Sequence, residues 1–542
     1  MRKVSPTHRI RRFIRKRDSS FHPKNLNYKW WLLANVMIGT FMAVLDATIV
    51  NVGLPKIMAS FGVGIDKIEW IITAYMLAMA VMLPTAAWLA DKFGYKRVYF
   101  LGLLLFTFGS FLCGMSSDEN MLIISRVIQG LGAGAIQPIG MAIIIREFPA
   151  RQRGVALGFW AISAAASVSF GPLIGGFLVD NFSWQLIFDV NVPVGIIGLL
   201  ATVIIQREYK NPKARNFDYV GFFSVSLFLP LILFALTEGN AATNSQGWSA
   251  PYILICFAIS IIALAVFITN ELTVDEPLID LRLLKNHNFY MGNIIIFIFS
   301  MGMFGSTFLL PMYLQNSLNY TAIQSGAVFL PVGIIQGTMS PISGLMGDKI
   351  NPKIPIVIGV ILLSFSLYLN SSLSFLTEHH YIMLSLYIRG FAMGMMFTPL
   401  SSTSLSEMPR DKMAQASGIT NVIRQLAGSF GVAVLATLLT TRVSYHSQMY
   451  GQAMDPHSQT YKNVSANIAN HLEIDAGTPR FLANRQGQVF ITMQANKEAY
   501  ISGVDDDFLV AGAITIIGLI PVFRLHTKKK QQDKNSKPVP IE

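Results

Sequence analysis

Two aspartates and three arginines stand inside stretches that are otherwise apolar. The acids are Asp46, within FMAVLDATIVNVGLP at 41–55, and Asp189, nearer the end of its stretch. The bases are Arg126, Arg389 and Arg424. At the centre of a bilayer such a side chain costs about 2.5–3.5 kcal/mol on insertion scales, so it is retained for a reason. Burial disfavours the charged form of a carboxyl, which can then take up and release a proton. When ionised it attracts a cation. A guanidinium at similar depth favours the ionised carboxylate, and a change in their separation would tie protonation to conformation. Arg126 stands at a depth comparable to Asp46, and the competing reading is a fixed pair that only balances charge. Arg424, flanked by Asn421 and Gln425, either lines a cavity or bonds backbone carbonyls. Arg389 has no evident acid partner. This is chemistry for an ion-coupled carrier. No cluster of acid, base and metal ligand shares one face, so neither an enzyme nor a metal site is expected. Cys113 and Cys256 both fall in apolar stretches and read as packing residues.

The elements that must hold these residues are membrane helices. The chain of 542 residues is 52% hydrophobic and only 13% charged, with a mean hydropathy of +0.48. A soluble domain carries about 25% charged residues. Fourteen apolar runs of bilayer-spanning length follow one another, the first at 31–54 and the last at 508–523. The net charge of +12 is distributed by topology. Ten Lys/Arg lie in residues 1–30 and six in 524–542. The short loops on the same side hold sixteen, and those opposite hold only Lys56 and Lys67. The positive-inside rule puts both tails in the cytoplasm of a multi-pass inner-membrane protein. No nucleic-acid-binding fold accompanies the basic tails, so no nucleic-acid partner is expected. The glycine-rich GLGAGAIQP lies in a membrane run and lacks the Lys-Ser/Thr of a phosphate cradle, so the motor is not ATP.

The runs repeat. Pro84 precedes Asp91-Lys92 as Pro341 precedes Asp348-Lys349. Arg126 matches Arg389 and Gly158 matches Gly418, at offsets of 257 to 263 residues. The expected fold is all-α, with two six-helix repeats, 31–206 and 289–523, and two inserted helices at 217–270. Repeats related by an axis normal to the membrane place substrate between them near the midplane. In this register Asp46 falls opposite Ser306, so the second repeat has no matching acid. Segment 442–507 reads as one long outer loop whose end leads into the last span.

At these residues the sequence resembles the fourteen-helix drug:proton antiporters of the major facilitator superfamily, the EmrB/QacA type. LDATIVNVGLP (45–55), WLADKFGYKR (88–97), RVIQGLGAG (126–134), GPLIGG (171–176) and NVIRQLAGSFGVAV (421–434) match that family's motifs along nearly the whole chain. Ala87 stands where the loop motif has glycine, Tyr95 where a basic residue is common, and Gln185 where arginine is usual. The resemblance implies proton coupling through Asp46 and Arg126. It implies a gating turn of Asp91, Lys92, Gly94, Lys96 and Arg97, whose ion pairs would break as the inner side opens. It makes Gly171, Pro172, Gly175 and Gly176 an antiporter mark, where physics alone says close packing. Cavity candidates are Asn51, Gln129, Asn421, Arg424 and Gln425. The expected function is proton-coupled export of hydrophobic or cationic drugs, with a dedicated exporter of one metabolite as the alternative. No cofactor is expected beyond the proton gradient. Expected partners are drug-like small molecules, protons and the bilayer, and further a periplasmic adaptor and outer-membrane channel.

Overall fold

The structure, a computed structural model, describes residues 28–526 apart from 64, 150–151, 211–215, 240–243, 245, 410–411, 455–457 and 477–478. The two basic tails therefore lie almost wholly outside the described residues. Every one of the fourteen apolar runs is helical. The helices of the first repeat are α1 (Tyr28–Phe61), α2 (Ile65–Phe93), α3 (Tyr95–Gly114), α4 (Glu119–Glu147), α5 (Arg153–Asn181) and α6 (Asn191–Ile205), the last led in by a short turn, Leu186–Asp189. The inserted pair is α7 (Tyr219–Glu238) and α8 (Pro251–Thr273). Then come α9 (His287–Asn316), α10 (Leu330–Lys349), α11 (Lys353–Leu369), α12 (His379–Leu405), α13 (Met413–Ala453), α14 (Gln459–Ala476) and α15 (Arg480–Ile517). Helix starts are set by side-chain caps: Asp118 accepts from Met121 N–H, Asp218 from Gly221 N–H and Asn286 from Phe289 N–H.

Among the described residues, twelve helices are long and apolar enough to cross a membrane. Besides the polar α14, two rods stand outside that twelve. Lys353–Leu369 is apolar but has 17 residues, and Arg153–Asn181, with 29, occupies the fifth apolar run. Seventeen residues rise about 26 Å, only slightly less than a hydrocarbon core of about 30 Å.

The packing repeats as the sequence does. In the first bundle α1 lies on α5, α2 on α4, α3 on α4 and α6, and α1 also on α6. In the second, α9 lies on α13, α10 on α12, α11 on α12 and α15, and α9 also on α15. One apolar core is built wholly from Ile295 to Leu525, while the core of the first bundle runs on into Val225 and Leu229 of α7 and across the seam to Leu405, Met413 and Ile419. Across the seam α5 packs on α10, and α2 and α4 on α13. The inserted hairpin rests on both bundles. Trp70 of α2 packs on Phe234 of α7, and Trp248 Nε1 donates to Thr437 Oγ1 of α13 at 2.9 Å. On its outer face Leu254, Ile255, Ile261 and Ile262 are exposed, as lipid-facing residues should be.

One expectation is corrected. Segment 442–507 is not a loop: its described residues are almost all helical. Helix α13 runs on to Ala453, α14 spans 18 residues, and α15 begins at Arg480, well before the last apolar run. The end of the stretch, 489–508, does show helical spacing in the sequence, but α14 and the first turns of α15 are too polar to read as part of a membrane run.

Candidate functional site

Asp46 is fully buried in the first bundle, at 0% exposure. Its Oδ2 accepts from Arg126 Nη1 at 2.5 Å. Its Oδ1 accepts from Gln129 Nε2 at 2.7 Å and from Asn191 Nδ2 at 3.2 Å. Arg126 is held in turn. Its Nε donates to the Ile71 carbonyl at 3.1 Å, and Nη1 also donates to Gln129 Oε1 at 2.6 Å. Its guanidinium carbon lies 4.1 Å from the Tyr75 ring centre and 5.7 Å from that of Phe188. Gln129 Nε2 also donates to Ser110 Oγ at 2.6 Å.

Local sequence makes this possible. Arg126 and Gln129 are three apart on α4 and so share a face. Glycine lets the neighbours close in: a Cβ at Gly109 would fall 2.6 Å from Gln129 N, and one at Gly130 would fall 2.5 Å from the Tyr75 carbonyl. The result is a carboxylate with both oxygens satisfied and its charge matched by one guanidinium. In such a pair the attraction persists only while both partners stay. Protonating Asp46 removes the charge that holds Arg126.

The sequence put Gln129 among cavity residues, but it belongs to this network. Asn191, Ser110 and Tyr75 were missed. A polar residue within an apolar run is the signal each carries, but none is costly enough there to stand out. Asp189 lies beside α3, where a Cβ on Gly114 would strike its carboxylate, and it has no bond to Asp46. Gly171 of α5 packs against α1 two residues from Asp46, where a Cβ would strike Thr48 Oγ1 and come 3.4 Å from Ile49 N. Gly175 and Gly176 are buried. The side chains of Asn51, Pro172 and Asp348 lie outside the described ones.

Among the described residues, Arg389 of the second bundle has no carboxylate partner. Its Nη2 donates to the Met303 carbonyl at 3.0 Å and to Thr307 Oγ1. Arg424 reaches toward the seam. Its Nη1 donates to Asn421 Oδ1 at 3.2 Å, and its guanidinium carbon lies 4.9 Å from the Phe397 ring centre. Phe397 in turn stacks on Trp160 of α5 at 6.4 Å, which joins the two bundles. Gln425 is half-buried one residue on. Between α5 and α10 runs an apolar groove of about 490 Å³, with Phe159, Ile162, Phe170, Ile334 and Thr338 among its walls.

The charged turn is tied differently from expectation. Tyr95, which replaces the usual basic residue, donates its hydroxyl to Asp91 Oδ1 at 3.1 Å. Lys92 Nζ sits 4.6 Å from the Trp88 ring centre. Gly94 takes φ 106°, open to glycine and strained for other residues, and a Cβ there would strike the Glu208 carboxylate. Lys96 N donates to Glu208 Oε1 at 3.2 Å and its Nζ to the Val203 carbonyl at 2.8 Å. Arg97 Nε lies 3.4 Å from Glu208 Oε2. These contacts all stay within the first bundle.

Small residues clasp the bundles toward the end that carries the basic loops. A Cβ at Gly158 would fall 2.7 Å from Pro341 Cα, and one at Gly344 would strike the Gly154 carbonyl. A Cβ at Gly418 would lie 3.8 Å from the Leu83 carbonyl and 4.0 Å from Ala87 Cβ, which is the position of the loop-motif departure. Ser417 Oγ donates to the Pro138 carbonyl at 3.1 Å. Gly158 and Gly418 are repeat mates, and so are Pro341 and Pro84. The repeated residues meet across the seam.

Comparison with known proteins agrees with this fold. The family model described as Major Facilitator Superfamily matches residues 36–432. The multidrug export protein EmrB of Haemophilus influenzae is 30% identical over 492 residues, covering 90% of this chain and 93% of that protein. The uncharacterized MFS-type transporter YhcA of Bacillus subtilis is 29% identical over 527 residues, 96% of this chain and 98% of that one. Among solved structures, the human organic anion transporter MFSD10 (TETRAN) aligns with a TM-score of 0.59 at 12% identity, over 92% of this chain and 99% of that one. The chain is a multi-pass membrane transporter that belongs to the major facilitator superfamily.

Proposed function

We propose that this transporter is a proton-coupled antiporter that exports hydrophobic or cationic small molecules across the cytoplasmic membrane, with both tails in the cytoplasm. The carrying observation is the buried Asp46–Arg126 pair, completed by Gln129 and Asn191. A proton from outside neutralises Asp46 and loosens its hold on Arg126. Arg126 links α4 to α1 and, through Ile71, to α2, so its release frees the packing of three helices. The bundles then rock about the seam, and the clasp between α5 and α10 and between α2 and α13 opens. Asp46 gives up its proton on the cytoplasmic side, re-forms the pair and resets the clasp. Substrate is held at the seam, where Arg424, Phe397 and Trp160 lie, so one site handles protons and another handles cargo. The similarity to multidrug export proteins supports drug-like cargo. The proton gradient is the sole driving force in this reading, and no cofactor takes part. Where the host has an outer membrane, an adaptor would meet the helical extension of α13, α14 and α15.

The test uses purified protein in liposomes that contain a pH-sensitive dye. Lipophilic cations are expected to evoke proton movement out of step with protein-free vesicles. Transport of the same compounds with no proton movement would overturn the coupling.

A further inference from the structure

Three acids among the described residues have no exposed surface: Asp46, Glu271 and Asp507. Asp46 is fully paired. Glu271 accepts from the Ile279 N–H at 3.1 Å and closes the end of the inserted hairpin. Asp507 differs from both. Neither of its carboxylate oxygens has a hydrogen-bond partner.

The charges around it do not fill the gap. On its own helix, Asp505 Oδ1 accepts from the Leu373 N–H at 3.0 Å, in the turn after α11. Asp506 Oδ2 takes two basic groups from the outer part of α13, Arg442 Nε at 2.6 Å and His446 Nε2 at 2.8 Å. From α9 come Tyr313, whose hydroxyl donates to the Ser374 carbonyl at 2.7 Å, and Asn316, whose Nδ2 donates to Tyr500 at 3.2 Å. Three adjacent carboxyls thus share one guanidinium and one imidazole, and Asp506 engages both. An ionised carboxylate buried with neither counter-charge nor donor costs several kcal/mol, and the alternative is to keep its proton.

The place of Asp507 in the repeat gives this orphan a meaning. Arg389 holds the register of Arg126, but Ser306 holds that of Asp46. Helix α15 packs on α9 as α6, which carries Asn191, packs on α1. The second bundle therefore carries its buried acid on the sixth helix of the repeat. A route from outside is also present. Asp506, next to it in the chain, is one-third exposed, and His446 Nε2 lies 2.8 Å from its Oδ2.

We propose that Asp507 is a second proton-carrying site of the transporter. It is loaded from the outer side by way of the exposed carboxylate of Asp506, and it is emptied once in each cycle. This rests on the proton-coupled reading and extends it: a neutral substrate would be exchanged for about two protons, one at each buried acid.

The test measures the coupling ratio in proteoliposomes, with tetraphenylphosphonium as the probe and after correction for its charge. The pH gradient that just balances a set probe gradient gives the ratio. About two protons are expected for the wild type and about one for Asp507→Asn. A wild-type ratio of one overturns the proposal whether or not the variant folds, and so does an unchanged ratio in the variant. Probe transport without any proton movement would instead sink the coupled reading itself. Infrared spectra of the wild type in lipid supply a check without transport. A protonated-carboxyl band is expected that disappears in Asp507→Asn and in Asp507→Ser. Its absence from the wild type at neutral pH would overturn the proposal.

Discussion

Around Asp46, three donors from two helices converge on one carboxylate, and each binds an oxygen that another does not fully satisfy. Arg126 is the hinge of the set because its planar fork reaches Ile71, Gln129 and Asp46 at once. Lysine keeps the charge but presents no such fork. Losing a charge-assisted hydrogen bond of this kind costs about 1.5–3 kcal/mol. Arg126→Lys should therefore lower uphill transport by about 10- to 100-fold, with tenfold for each 1.4 kcal/mol. Initial rates of drug accumulation under a fixed pH gradient would check it, and a wild-type rate would show that charge alone suffices. Asp46 and Arg126 were legible in the sequence because each is expensive in an apolar run. Gln129 is legible as a polar residue in an apolar run, but its bonds to Asp46 and Ser110 are not. Its spacing of three from Arg126 places the two on one helix face. Asn191 was not legible. An asparagine near a helix start is cheap, and its contact with Asp46 spans 145 residues of chain.

At the scale of helices, the clasp depends on backbones that approach without side chains. A leucine at Gly158 would have to enter space held by the Pro341 backbone, which cannot yield as a flexible side chain can. Gly158→Leu is expected to hold the bundles apart at the end of the basic loops. Single cysteines placed along α5 toward Arg153 should then react faster with a membrane-impermeant thiol reagent applied from that side. An unchanged reactivity would place the gate elsewhere. Gly344→Leu should act alike, since its Cβ would strike the backbone of α5. The repeat itself was readable from Pro84, Pro341, Gly158 and Gly418. Their meeting across the seam was not, because a repeat names equivalent residues rather than contacting ones. The charged turn shows the same limit. Its motif was found, but its partners Val203 and Glu208 lie more than 100 residues away.

For the whole molecule, the question is whether a proton can move what the buried pair holds. Removing one partner from a buried ion pair costs about 3–5 kcal/mol. One charge crossing 100 mV yields about 2.3 kcal/mol, and each pH unit adds about 1.4 kcal/mol. These are comparable, so a proton that neutralises Asp46 can break the pair while the gradient repays the cost. Asparagine at this position mimics the protonated acid and cannot cycle. The decisive measurement compares two modes of transport in the same liposomes for wild type and Asp46→Asn: drug-for-drug exchange without a pH gradient, and uphill accumulation with one. With cargo proposed to bind at the seam, the variant is expected to keep exchange and to lose accumulation. Uphill accumulation at the wild-type level in Asp46→Asn would contradict it.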